Sequence, residues 1–259
     1  MRSRLQQGSA VMHATSNSHY NPLIRKLESI FVLTDDERQA LETLPMQVVA
    51  IKENQDLVRA GDRPSRSCLV LSGFACTYKM TVQGKRQIVS FNLPGDIPDL
   101  QSLHLRVLDN GISTISPCRV GFIPHEVLRD ICERYPRIAS AFWRETLIDA
   151  SIFREWVMNI GQREAYTRMA HVLCELLTRL RAVGLTQDHS CNLPITQSEF
   201  ADALGVTTVH VNRVLQEMRA DGLIELKGDR LNIPDWETLK QVGEFDPTYL
   251  HLEDYQAAA

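Results

Sequence analysis

The chain has 259 residues, 44% of them hydrophobic and 23% charged, with a net charge of −4. That length exceeds the usual single domain, so two cores are expected in an otherwise ordinary globular protein. No apolar run approaches the roughly 18 residues of a membrane span, and the opening "MRSRLQQGSAVMHATSNSHYNP" lacks the apolar stretch of a secretory signal; the chain reads as cytoplasmic, with no membrane partner.

Residues 1–20 are polar and unpatterned and read as a flexible tail. Helical spacing of Leu23, Ile24, Leu27 and Ile30 then leads to "LTDDER", where Thr34 can cap a second helix whose first turn holds Asp35, Asp36 and Glu37. From Met46 to Phe122 the pattern changes to short apolar runs punctuated by turn signals, with Gly61, Gly73, Gly84 and Gly95 at corners. This predicts an antiparallel β-roll of the sandwich or jelly-roll kind. With its flanking helices, that unit spans residues 21–135 and reads as a sensor domain.

Residues 136–160 predict one long helix with too many apolar residues for a single stripe. Ala141, Ile148 and Ile152 form one line, Phe142, Phe153, Trp156 and Ile160 a second, Trp143 and Leu147 a third. Such a helix needs cover on more than one side. The β domain supplies one cover and the same helix of a second copy the other, with Ala141, Ile148 and Ile152 assigned to the dimer interface. Gly161 is read as a break, after which residues 161–259 form a second domain that opens on a helix ending near Gly184.

That domain contains "ITQSEFADALGVTTVHVNRVLQEMRADGLIELKGDRLNIPD". Thr196 and Glu199 have capping-box spacing; Gly205 ends the short helix they start, and Thr207 caps the next one two residues later, the layout of a helix-turn-helix. On the second helix Val211, Val214, Leu215 and Met218 fall within one arc and face inward. The opposite arc holds Val209, Asn212, Arg213 and Gln216, flanked by Thr208 and His210. Arginine presents a fork of donors to guanine, the amides can pair with adenine, and valine can meet a thymine methyl, so the face suits a DNA major groove. "LIELKGDRLNI" follows as a hairpin whose turn carries Lys227 and Arg230, a wing that can rest on phosphates. The candidate DNA-binding residues are therefore Thr207, Thr208, Val209, His210, Asn212, Arg213, Gln216, Lys227 and Arg230. The fold class is α+β: β-roll, long dimerisation helix, winged helix-turn-helix.

Charge pulls the other way. Residues 160–259 hold nine Lys and Arg against fifteen Asp and Glu, whereas a nucleic-acid binder is expected to show a basic footprint. The six cysteines, Cys68, Cys76, Cys118, Cys132, Cys174 and Cys191, include no C-x-x-C pair, which argues against zinc and against a disulfide framework. No metal or cofactor is expected. His104 and His125 have no partner at ligand spacing, and a thiol switch at one of the cysteines competes with an inert core role. None of the nucleophile, zinc or phosphate-loop signatures of common enzymes is present, so catalysis is not expected.

The order of parts resembles the Crp/Fnr family of bacterial transcription regulators, over roughly Leu23 to Asp235. The likeness is strongest in "ITQSEFADALGVTTVHVNRVLQEMRADGLI" and weaker in "VRAGDRPSRSCLVLSGFACTYK" and "LPGD". It implies a homodimer that binds a palindromic operator in double-stranded DNA and works with RNA polymerase. Arg213 matches the family's base-contacting arginine, while Val209 stands where many members carry a base-reading glutamate. Where cyclic-AMP-binding members place an Arg-Ser pair, this chain has Leu108 and Asp109; Asp99 is a displaced version of the ribose-binding glutamate; the adenine-contacting pair becomes Phe153 and Arg154. No cysteine precedes Cys68, unlike the amino-terminal cluster of iron–sulfur members. Control by cyclic AMP or by an iron–sulfur cluster is therefore not expected. The competing reading is a ligand-binding module that acts through protein–protein contacts, which the acidic carboxy-terminal half favours.

Overall fold

A computed structural model describes residues 21–253; the tail expected over residues 1–20 lies outside them. Two short helices come first, α1 (Pro22–Glu28) and α2 (Asp35–Glu42). Thr34 caps α2 as expected, and Glu37 completes a capping box by accepting from the Thr34 amide.

Seven strands follow: β1 (Gln47–Ile51), β2 (Asp56–Val58), β3 (Arg66–Ser72), β4 (Ala75–Met80), β5 (Arg86–Asn92), β6 (Gly111–Thr114) and β7 (Cys118–Pro124). They form two antiparallel sheets, β1-β7-β3 and β2-β6-β4-β5. Within the roll the two sheets share a small apolar cluster, Val58 and Ile112 from one and Cys68 and Val120 from the other, all buried. Gly73 is fixed by packing as well as by its positive φ of 85°: a Cβ there lies 2.4 Å from the Pro117 carbonyl oxygen.

Helix α3 (His125–Arg134) leads into α4 (Pro136–Gln162). The expected break at Gly161 does not occur. An isolated glycine lowers helical preference by only about 1 kcal/mol, and α4 runs through it; the chain turns at Arg163 and Glu164 before α5 (Ala165–Ala182). Every residue of α5 from Met169 to Leu180 is buried, so this helix is covered on all sides. That explains a second departure from expectation. Two apolar clusters are present, but they do not divide at the domain boundary: a small one lies inside the roll, and the large one runs from Leu69 and Phe91 of the roll through Ile148 and Trp156 of α4 and Leu173 and Leu177 of α5 to Phe200 and Leu215 beyond.

Polar groups cross the same junction. Lys26 on α1 pairs with Asp96 at 3.1 Å and with Glu145 at 3.0 Å, and Arg179 on α5 reaches Asp96 at 3.0 Å and Glu175 at 3.2 Å. Trp156 and Tyr249 both donate to Glu175 Oε2, at 3.0 and 2.9 Å. Buried charges persist only when paired and hydrogen-bonded; here the pairing joins α5 to the roll.

The remaining elements are β8 (Thr186–Gln187), β9 (Ser190–Asn192), α6 (Gln197–Leu204), α7 (Thr208–Ala220), β10 (Glu225–Lys227), β11 (Arg230–Asn232) and α8 (Trp236–Val242). The stretch "TQDHSCN", which carries no strand signal in the sequence, forms the β8-β9 hairpin, and β9 pairs with β11 to extend the wing into a four-stranded sheet, β10-β11-β9-β8. Two- and three-residue strands are too short to show period-two alternation.

Candidate nucleic-acid interface

The outward helix is built from its caps. Thr196 and Glu199 close a capping box on α6, and Gly205 ends that helix in the left-handed conformation, φ 67°. The side chain of Thr207 then accepts from the His210 amide, starting α7 after a turn of only three residues, Gly205 to Thr207. Val211, Val214, Leu215 and Met218 are buried against the rest of the domain, which fixes how α7 is rotated.

That rotation leaves Thr207, Thr208, Val209, Asn212, Arg213 and Gln216 exposed together, with His210 half-buried beside them. Val209 is 81% exposed. A β-branched apolar side chain so placed gains nothing from the chain's own core. Asn212 Nδ2 donates to Gln197 Oε1 at 3.1 Å, and Arg213 Nη2 lies 3.3 Å from His210 Nε2; both contacts lie along the exposed surface and orient the longer side chains. Lys227 and Arg230 flank the β10-β11 turn and are exposed, with Arg230 donating to Gln187 Oε1 at 3.3 Å.

The acidic balance of this half is partly spent internally. Glu175 is engaged by Arg179, Asp202 by Arg86 of β5 at 2.7 Å, and Glu244 by Arg163 at 3.2 Å. Tyr166 donates to Asp221, the C-cap of α7. Burial, followed by this carboxylate, pushes the Tyr166 phenol well up, so it stays a donor.

The three residues expected at a dimer interface are elsewhere. Ala141, Ile148 and Ile152 are 0%, 3% and 3% exposed within the single chain, because the line they form is the one the chain's own core covers. The opposite side of α4 carries Trp143, Leu147 and Val157, exposed by 69%, 56% and 72%. Helical spacing set the first and third lines apart but could not say which one faces inward, and the second line is divided, with Phe142 and Trp156 buried and Phe153 and Ile160 exposed.

Some groups that hold the interface in place escaped sequence reading. Arg168 on α5 donates to the Asn159 and Ile160 carbonyls at the end of α4, to the Arg163 carbonyl and to the Leu204 carbonyl at the end of α6. It therefore ties the turn between α4 and α5 to the helix-turn-helix. Gln87 Nε2 donates to the Ala203 carbonyl at 3.0 Å, and the Phe91 ring sits edge-on to Phe200 and Trp156, which seats α6 against β5. The available signal was a lone arginine in the run "AYTRMAHVL"; its partners, all main-chain carbonyls, leave no mark in sequence.

In the roll, Leu108 is fully buried, and Asp109 is paired with Lys79 at 2.7 Å. Asp99 points at β3 instead of outward, accepting from the Cys68 amide at 2.8 Å and from its thiol. Burial raises its carboxyl to about 6. His125 bonds Ser102 Oγ at 2.9 Å in the interior, a structural role. Burial pushes up the thiols of Cys68, Cys76, Cys174, Cys118 and Cys191, the last two to about 11. Thiols held so far from ionisation are poor nucleophiles.

Comparison with known proteins agrees with this arrangement. A Crp-like helix-turn-helix domain model matches residues 167–242, and a cyclic nucleotide-binding domain model matches residues 48–135. The fumarate and nitrate reduction regulatory protein of Vibrio cholerae is 24% identical over 230 residues, covering 89% of this chain and 90% of that one. The anaerobic regulatory protein of Haemophilus influenzae is 23% identical over 249 residues, covering 96% and 95%. Among solved structures, FixK2 from Bradyrhizobium japonicum superposes with a TM-score of 0.70 at 20% identity, over 77% of this chain and 98% of that one. With a roll, a long helix and a winged helix-turn-helix in this order, matched across both domains, the chain belongs to the Crp/Fnr family of DNA-binding transcription regulators.

Proposed function

We propose that the protein binds a two-fold symmetric operator as a homodimer, each copy placing α7 in the major groove of one half-site, with half-site centres about 34 Å apart. The observation that carries this is the exposed face of α7, where Val209, Asn212, Arg213 and Gln216 stand together and no element among the described residues buries them. Arg213 reads guanine, Asn212 and Gln216 read adenine, and Val209 meets a thymine methyl where a glutamate would have taken cytosine. Thr207, Thr208, His210, Lys227 and Arg230 contact phosphate and set register. Dimerisation runs along α4 through Trp143, Leu147 and Val157, the apolar residues that one chain leaves in water; family members bind DNA as dimers.

Neither cyclic AMP nor an iron–sulfur cluster controls it in this reading. Leu108 and Asp109 offer a cyclic phosphate no cation, and the cysteines are dispersed and mostly buried. The protein works in the cytoplasm with RNA polymerase as a further partner, over residues 21–135 for the roll, 136–160 for the dimer helix and 161–259 for DNA binding. The remaining excess of acid in the last part favours the other reading, a module that pairs with protein. Hydroxyl-radical footprinting on a bound fragment separates them: two protected half-sites on one face of the duplex are expected, and one half-site or none contradicts the dimeric reader.

A further inference from the structure

Between the β2-β6-β4-β5 sheet and α4 lies a cavity of about 450 Å³. Its apolar wall is Val89, Ile97 and Phe153; its polar wall includes Asn110, Glu145 and Asp149. Two wall groups are buried without a partner among the described residues, Glu145 Oε2 and Asn110 Nδ2, on side chains of residues only 8% and 7% exposed. Glu145 Oε1 is satisfied by Lys26 at 3.0 Å. Each buried polar atom left unpaired costs a fold the desolvation of that atom, and such orphans in a native structure call for an explanation. One carboxylate oxygen awaits a donor, and one amide awaits an acceptor.

The charges say what kind of donor. Lys79 at the cavity mouth is taken by Asp109, while Lys26 and Arg179 behind the wall are taken by Asp96, Glu145 and Glu175. An incoming anion meets Asp109 and Glu145 with the nearby cations already engaged, so anionic ligands are disfavoured.

We propose that this cavity binds a small organic cation, whose ammonium or amidinium group donates to Glu145 Oε2 and Asp149, whose acceptor meets Asn110 Nδ2, and whose short apolar body lies on Val89, Ile97 and Phe153. Charge-assisted bonds to a carboxylate are the strong kind. Burial, and next the neighbouring Glu145, lift the Asp149 carboxyl to about 8 against the opposing pull of Lys26 and Arg179, with Asp96 adding to the rise. The carboxyl is thus mostly protonated at neutral pH, and a cation that binds there expels that proton. Asp96 lines the cavity and also holds Arg179 of α5, so occupancy acts on the ion set that joins the roll to the DNA-binding half.

The test is calorimetry on the full chain with tyramine, agmatine and, as the anionic control, cyclic AMP. Tyramine or agmatine binds saturably, once per subunit, and releases protons, while cyclic AMP gives no binding heat. Asp149→Asn and Glu145→Gln each weaken binding by about tenfold or more, the loss of a bond to a charged group. The Asp149 side chain makes no hydrogen bond among the described residues, so its variant keeps the fold even if Glu145→Gln does not. Absence of saturable amine binding, unchanged affinity in Asp149→Asn, or binding of cyclic AMP overturns the proposal. Operator affinity is measured separately, so failure here leaves the DNA-binding reading standing.

Discussion

Replacing Arg213 with alanine removes a side chain that the fold does not use. Arg213 is exposed, and its hydrogen-bonding contact within the chain is with His210 at 3.3 Å, so stability should change by no more than about 0.5 kcal/mol, the usual range for surface substitutions. Operator binding is another matter. Loss of a bidentate contact to guanine costs about 1–3 kcal/mol, which corresponds to a dissociation constant raised about 5- to 150-fold. Fluorescence anisotropy with a labelled operator and with a scrambled duplex of equal length, at one fixed salt concentration, separates the two kinds of contact. The expected result is a loss confined to the operator, with preference relaxed at one base pair per half-site and an unchanged melting temperature. Arg213→Lys should retain the scrambled-duplex affinity and still lose discrimination, since lysine has the charge without the fork. An Arg213→Ala protein with the parent's affinity and base preference, or one that loses equally on both duplexes, refutes base reading by this residue.

Other substitutions probe the scaffold. Thr207→Ala removes the N-cap of α7 and should cost about 1 kcal/mol, seen as a lower denaturation midpoint with weaker operator binding. Leu147→Glu on the exposed side of α4 should give a folded monomer by sedimentation, whereas Ile148→Ala should keep the parent's oligomeric state and lose about 2–5 kcal/mol of stability from a core cavity; the reverse pattern contradicts the assignment of the two faces. The raised carboxyl of Asp149 makes a pH signature. Because its folded value of about 8 lies above its unfolded value near 4, the folded state binds the extra proton between them and stability falls as pH rises through that window. Asp149→Asn should therefore melt above the parent at pH 8 and level with it at pH 4; equal melting at both values contradicts a protonated Asp149.

The reading head was legible almost to the residue because its signals are local. The capping pair Thr196 and Glu199, the left-handed Gly205 and the Thr207 cap lie within twelve residues and each acts on its own turn. The strands of the roll were legible as a group, since turn residues punctuate them. What remained hidden depends on partners distant in sequence. Periodicity drew the lines on α4 but could not choose which faced inward, because that is decided by where α1, α5 and the roll lie; hence Ala141, Ile148 and Ile152 were assigned to the wrong side. The core shared across the domains followed from α5 being buried all round; its apolar run from Val172 to Leu177 is interrupted by Glu175, which is the acceptor for Trp156, Tyr249 and Arg179. Acidic residues counted as a net charge concealed that several are engaged inside the fold.

Selection of bound sites from a random duplex library, using the full-length protein at moderate salt, addresses the central claim most directly. A two-fold palindrome whose half-sites are about one helical turn apart is the predicted outcome, and the Arg213→Ala protein should return the same spacing with one position per half-site degenerate. Recovery of no enriched sequence, or of an asymmetric single site, contradicts a symmetric pair of α7 helices reading bases.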